Sequence, residues 1–102
     1  MKISIITVCY NRASVIQKAI EGVLAQTYKD IEYIVVDGAS TDGSMKVIES
    51  YKNRIQRIVC EPDHGMYEAI NKGIRMATGD VVGLMHSDDY FYDNRTVESI
   101  AQ

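Results

Sequence analysis

A chain of 102 residues holds one modest hydrophobic core and leaves no room for a second domain. Hydrophobic residues at 46%, charged residues at 25% and a single proline exclude a disordered chain. Its 11 Lys and Arg against 14 Asp and Glu, a net charge of -3, exclude a basic nucleic-acid-binding surface and make binding of an anionic ligand depend on a cation.

Ile3 to Cys9 is rich in β-branched residues and too uniformly apolar for a half-exposed strand, so it predicts a central parallel strand covered on both faces. Ser4 and Thr7 interrupt it and no small-residue cleavage site follows, which argues against a signal peptide. After a turn at Asn11 and Arg12, apolar residues at Val15, Ile16, Ala19, Ile20, Val23 and Leu24 mark an amphipathic helix, and Ser14 with Gln17 has the spacing of a capping box. Ile31 to Val36 predicts a second strand, closed by the turn-forming run Asp37–Gly43, in which Gly38 supplies backbone freedom. A second helix with Val47, Ile48 and Tyr51 facing inward leads to a short strand over Ile55–Cys60. Met66 to Ala77 has helical periodicity, Gly79 stands where a helix ends in the left-handed conformation, and Val81 to Met85 is the fourth strand.

This alternation predicts an α/β fold: a doubly wound, mainly parallel sheet of about four strands with helices on both faces. Ligands of such sheets sit outside the carboxyl ends of the strands, where this chain carries Thr7 to Arg12, Asp37 to Asp42 and His86 to Asp89. Cys9 and Cys60 each end an apolar run without a recurring spacing, a pattern of buried reduced thiols in a cytoplasmic protein. No apolar run approaches the ~20 residues that span a bilayer, so membrane association would have to come from sequence outside this chain.

Residue chemistry gives each polar group two readings. Adjacent Asp88 and Asp89 repel unless a divalent cation or hydrogen bonds offset their charge, and the alternative is a solvated, capping turn. Asp37 suits contact with a base or ribose, or else an Asx-turn; Ser40, Thr41 and Asp42 suit capping of the next helix. Tyr10 can cover a flat base and Arg12 can meet phosphate, while Tyr10 as core and Asn11 as a helix cap fit equally well. In the stretch Asp63–Gly73, His64 and Lys72 read as surface charges or as ligand contacts, and Asn71 and Gly73 as packing groups.

Together these segments resemble family-2 glycosyltransferases of the GT-A fold, through Ile5–Arg12, Glu32–Ser44, Asn71–Asp80 and Ser87–Asp89 in the family's order and spacing, over nearly the whole chain. The resemblance implies a Rossmann-like nucleotide-sugar-binding half over residues 1–102, ending before the acceptor-binding half. By it, Thr7, Tyr10 and Asp37 hold the base and ribose, Arg12 lies near the phosphates, and Asp88, with Asp89 beside it, ligates a divalent metal, Mg or Mn. Asn11, His64, Asn71, Lys72 and Ser87 fall among the nucleotide neighbours. His86 stands where the family's Asp-x-Asp motif begins with Asp, and is kept as a nucleotide neighbour rather than a metal ligand. The wording of residues 63–73 resembles a subgroup that builds bacterial surface polysaccharides or glycolipids.

The chemistry so implied is inverting transfer from a nucleoside-diphosphate sugar, UDP-linked, to a saccharide or glycolipid acceptor, with the metal stabilising the departing charge. The family's catalytic base lies beyond the Asp-x-Asp motif, so no catalytic residue is assigned here. These residues are expected to bind nucleotide without transferring sugar, and to self-associate through uncovered apolar surface. Two rivals are a receiver-like signalling domain phosphorylated on Asp37 and a non-catalytic nucleotide-binding module. The first is disfavoured because a receiver carries its acidic pair directly after the first strand, where this chain has Tyr10-Asn11-Arg12.

Overall fold

The computed structural model describes residues 2–62 and 65–86, with Met66 and His86 described as backbone only. Among the described residues seven elements alternate: β1 (Ile3–Cys9), α1 (Ala13–Leu24), β2 (Ile31–Asp37), α2 (Ser44–Glu49), β3 (Arg57–Cys60), α3 (Met66–Met76) and β4 (Val81–His86). The strands form one parallel sheet in the order β3-β2-β1-β4.

Burial explains that order. All seven residues of β1 are buried, as are six of the seven in β2, so the two most uniformly apolar runs take the positions with a neighbour on each side. Ile3, Ile5 and Cys9 of β1 join Tyr33 and Val35 of β2 against Ile16, Ile20 and Val23 of α1 and Ile48 of α2. On the opposite face Ile6, Val8, Ile34 and Val36 pack with Ala69 of α3. Helices therefore cover both faces, as the alternation predicts. The order of strands reverses between β1 and β4, which makes the carboxyl end of that pair the crevice where doubly wound sheets bind ligands.

Two glycines set close approaches. A Cβ on Gly73 would lie 2.6 Å from Ile6 Cγ2, so glycine lets α3 settle directly on β1. A Cβ on Gly79 would lie 2.6 Å from Ser4 Oγ and 2.8 Å from its amide nitrogen. Gly79 is not the left-handed helix end expected of it: α3 stops at Met76, Ala77 is extended, and positive φ among described glycines falls on Gly43 and Gly65. What requires glycine at position 79 is lack of space.

A polar staple closes the amino end of the sheet. Glu32, buried on β2, accepts hydrogen bonds from the Ser4 hydroxyl at 2.8 Å and from the Thr78 amide and hydroxyl, each at 2.9 Å. Ser4 Oγ in turn accepts from the Gly79 amide at 2.9 Å, and Lys2 and Asp80 pair through backbone and carboxylate. The Thr78 amide, ahead of the Ser4 and Thr78 hydroxyls, holds the Glu32 carboxyl below its ordinary 4.5 against the opposing effect of burial. The staple fixes the start of β4 beside β1 and so sets where β4 ends.

The capping box expected at Ser14 and Gln17 does not form, because α1 begins two residues earlier than such a cap requires, at Ala13 with Arg12 as its N-cap, and has no side-chain cap of its own. Cys9 is buried as expected, whereas Cys60, at the end of the outer strand β3, is exposed. Among the described residues no helix is long and apolar enough to cross a membrane.

Candidate functional site

The carboxyl ends of the four strands stand level to within a residue: Cys9 pairs with Asp37, Asp37 with Cys60, and on the other side Val8 pairs with His86. These strand ends form one rim, and hydrogen bonds stitch the loops after β1 and β2 together.

Three successive amides of the first loop are bound by side chains of the second. Asn11 N–H donates to Ser40 Oγ at 2.8 Å, Arg12 N–H to Ser44 Oγ at 2.9 Å, and Ala13 N–H to Asp42 Oδ2 at 3.0 Å. The Thr41 amide returns a bond to Asn11 Oδ1 at 2.8 Å. Asp42 also accepts, through Oδ1, the Ser44 amide at 3.0 Å and hydroxyl at 2.6 Å. One carboxylate thus serves the first amide of both α1 and α2, and bonding to the Ser44 hydroxyl, then to the Ala13 amide, holds its pKa below the ordinary 3.8. Its expected capping of the next helix holds; capping of α1 across the loops was not visible in the sequence.

Backbone strain concentrates at this seam. Asn11 has φ 52° and Ala39 φ 64°, left-handed conformations that cost a residue with a Cβ about 1 kcal/mol or more. Ala39 carries the conformation that the sequence had led us to expect at Gly38. The stitching bonds offset that cost and hold the turn open.

Tyr10 and Arg12 stand on the outside of the seam, Tyr10 with 58% of its surface exposed. Tyr10 is therefore not a core residue. Arg12 is exposed and makes a long bond of 3.4 Å to its neighbour's carbonyl. Asn11 is tied into the seam by both its amide and its side chain.

Other expected contacts are placed differently. Thr7 is fully buried, its hydroxyl 2.8 Å from that of Tyr33, because it lies inside β1 rather than at its end; its side chain belongs to the core. Burial drives the Tyr33 phenol well above its ordinary pKa, so this pair is neutral. Asp37 is likewise fully buried and accepts the Ser40 amide at 2.7 Å and hydroxyl at 2.6 Å, a turn built on its own loop. Such an enclosed carboxylate is poorly placed to receive a phosphoryl group. Cys9 is its register partner on β1, its thiol pushed up to about 11 chiefly by burial.

Lys72 on α3 is paired with Glu61 at 3.0 Å and Glu68 at 3.6 Å and donates to the Pro62 carbonyl at 3.3 Å, with only 13% of its side chain exposed. Its charge is already neutralised, a role in joining α3 to the loop after β3. Asn71 is exposed on the same helix. His64, Ser87, Asp88 and Asp89 lie outside the described residues, and so does the side chain of His86, whose backbone ends β4. Among the described residues no group of three His, Cys, Asp or Glu side chains is placed to hold a metal ion.

A parallel sheet whose strand order reverses beside β1, with a stitched, strained turn leaving that strand, defines the class: a doubly wound α/β fold. The profile of "Glycosyl transferase family 2" matches residues 4–102, and the chain belongs to that family. It is 43% identical over 93 residues to an uncharacterized glycosyltransferase of Nostoc sp., a match that covers 87% of this chain and 29% of the relative. The fold superposes with a TM-score of 0.90 on residues 1–349 of Staphylococcus aureus TarS in complex with UDP-GlcNAc, at 27% identity, over 99% of this chain and 30% of that one. A mannosyltransferase of Pyrobaculum calidifontis in complex with GDP-Man and Mn2+ gives a TM-score of 0.85 at 26% identity, over 99% and 32% of the two chains. The chain spans about a third of the length of the curated relatives it matches.

Proposed function

We propose that these residues bind the donor of an inverting glycosyltransferase, a UDP-linked sugar held at the rim between β1 and β4, for transfer to a saccharide or glycolipid hydroxyl. The observation that carries this reading is the seam between the loops after β1 and β2, which fixes, beside the switch point, the turn bearing exposed Tyr10 and Arg12. The likeness to a fold complexed with UDP-GlcNAc supports it.

Tyr10 supplies a flat face for the base and Arg12 a cation for the diphosphate. The helix end that often takes phosphate in such sheets is closed to it here, because the first amide of α1 already binds Asp42. Phosphate charge then falls to Arg12 and to a divalent cation, Mg or Mn, for which Asp88 and Asp89, two and three residues past the end of β4, are the proposed ligands. The cation, when bound, neutralises charge building on the departing diphosphate. Asp37 reaches the base or ribose by exchanging the Ser40 hydroxyl for a donor of the ligand.

In the reaction an acceptor oxygen attacks the anomeric carbon, the bond from that carbon to the diphosphate oxygen breaks, and the acceptor proton passes to a general base. Of the described carboxylates at the rim, Asp37 is assigned to the nucleotide in this reading, Asp42 bridges two helices and Glu61 is paired with Lys72, so none is assigned to take that proton. The described residues are therefore proposed to bind donor without supplying the base, and to self-associate through the exposed Val82 and Leu84 of β4 and Ile74 of α3.

Calorimetry with UDP tests the reading. Binding should need manganese, weaken about tenfold or more in Arg12→Ala, and weaken similarly in Asp88→Ala. Equal affinity with and without the metal would remove the cation from the proposal, and no binding at all would remove the donor.

A further inference from the structure

The second loop does more than end β2 and begin α2. We infer that Asp42 and Ser44 are positioning residues for donor binding, acting through the backbone of the Tyr10–Arg12 turn; the inference rests on the donor-binding reading above.

That turn has little to hold it from within. Asn11 is left-handed, and the helix that follows has no side-chain cap of its own. Its consecutive amides at residues 11, 12 and 13 are instead bound by Ser40, Ser44 and Asp42 of the other loop. Ser44 is fully buried, and its hydroxyl has one proton, which goes to Asp42 at 2.6 Å. With the proton committed, a lone pair of the same oxygen points at the Arg12 amide, 2.9 Å away. Asp42 thus sets the direction of the Ser44 hydroxyl as well as gripping Ala13, and the pair determines where the Arg12 side chain leaves the backbone. Remove the carboxylate and the hydroxyl is free to turn, the Ala13 amide returns to water, and the turn loses one of the bonds that offset its strain and the fixed direction of a second. A ligand must then order the turn at its own cost in affinity.

The carboxylate is at the protein surface, so its removal leaves the core intact. Asp42→Ala is expected to weaken UDP binding in the presence of manganese roughly tenfold, with only the modest fall in urea midpoint that loss of an exposed helix cap brings. Asp42→Asn keeps one acceptor oxygen and should recover part of the loss, and Ser44→Ala should follow Asp42→Ala in direction. Amide exchange should quicken at residues 11–13 in Asp42→Ala and stay unchanged along β1. Unaltered affinity in Asp42→Ala, with the unsubstituted chain binding UDP, would overturn the positioning role alone, as would a fall in the urea midpoint with affinity intact. Failure of the unsubstituted chain to bind UDP would overturn the donor reading and this role together.

Discussion

The two ends of the sheet use the same chemistry for opposite purposes. At the amino end, buried Glu32 gathers the Thr78 amide with the Ser4 and Thr78 hydroxyls, among residues of ordinary backbone conformation, and nothing is left over for a ligand. At the carboxyl end, exposed Asp42 also gathers backbone amides and a serine hydroxyl, but the segment it holds is left-handed at Asn11 and turns Tyr10 and Arg12 outward. A carboxylate among amides is thus a scaffold when it is enclosed by elements already paired. It becomes a support for binding when it restrains a turn that the strand and helix do not fix.

The comparison breaks most visibly at Glu32. Glu32→Ala leaves the Thr78 amide and the Ser4 hydroxyl without their acceptor, and should cost about 2–3 kcal/mol of stability by urea unfolding, with UDP affinity unchanged in the folded fraction. A cost below about 0.5 kcal/mol would mean that water replaces the carboxylate and that the staple holds nothing.

Gly79→Ala attacks the same end sterically. The added methyl meets the Ser4 backbone as well as its side chain, so β4 must shift, at about 1–3 kcal/mol. An unaltered urea midpoint would show that the 78–80 segment yields without strain.

Acid sharpens the contrast more gently. Glu32 and Asp42 both have lowered folded pKa values, so each contributes stability that is fully present above its ordinary value, 4.5 or 3.8, and is lost as pH falls through the lowered folded value. Urea midpoints should therefore decline from about pH 4.5 downward. Glu32→Gln should flatten most of that slope, and Asp42→Asn less of it, since its carboxylate stands in water. Equal flattening by the two variants would erase the distinction between a buried staple and an exposed one.

Much of the fold was legible because it rests on short-range pattern. Strands with both faces buried read as unbroken β-branched runs, α1 as a 3.6-residue stripe, and parallel pairing followed from the alternation of the two. The strand-end position of Asp37 and the rim position of Tyr10 and Arg12 were legible for the same reason.

What only the tertiary structure decided are the partners across distance. The sequence offered Ser14 and Gln17 as the cap of α1, being neighbours in the chain, but the amide of Ala13 is bound by Asp42, 29 residues away. It offered Thr7 to a ligand, yet the pairing of β1 with β2 sets Ile5 beside Tyr33, and the phenol hydroxyl takes Thr7 into the core. It offered Gly79 as a helix end, while the needed quality was the missing Cβ against Ser4, 75 residues back along the chain. Periodicity records which face of an element is buried, because that depends on the side chain and its nearest turn or pleat. A hydrogen bond or a contact between loops depends on where the sheet brings separate segments together, and local sequence does not encode that separation.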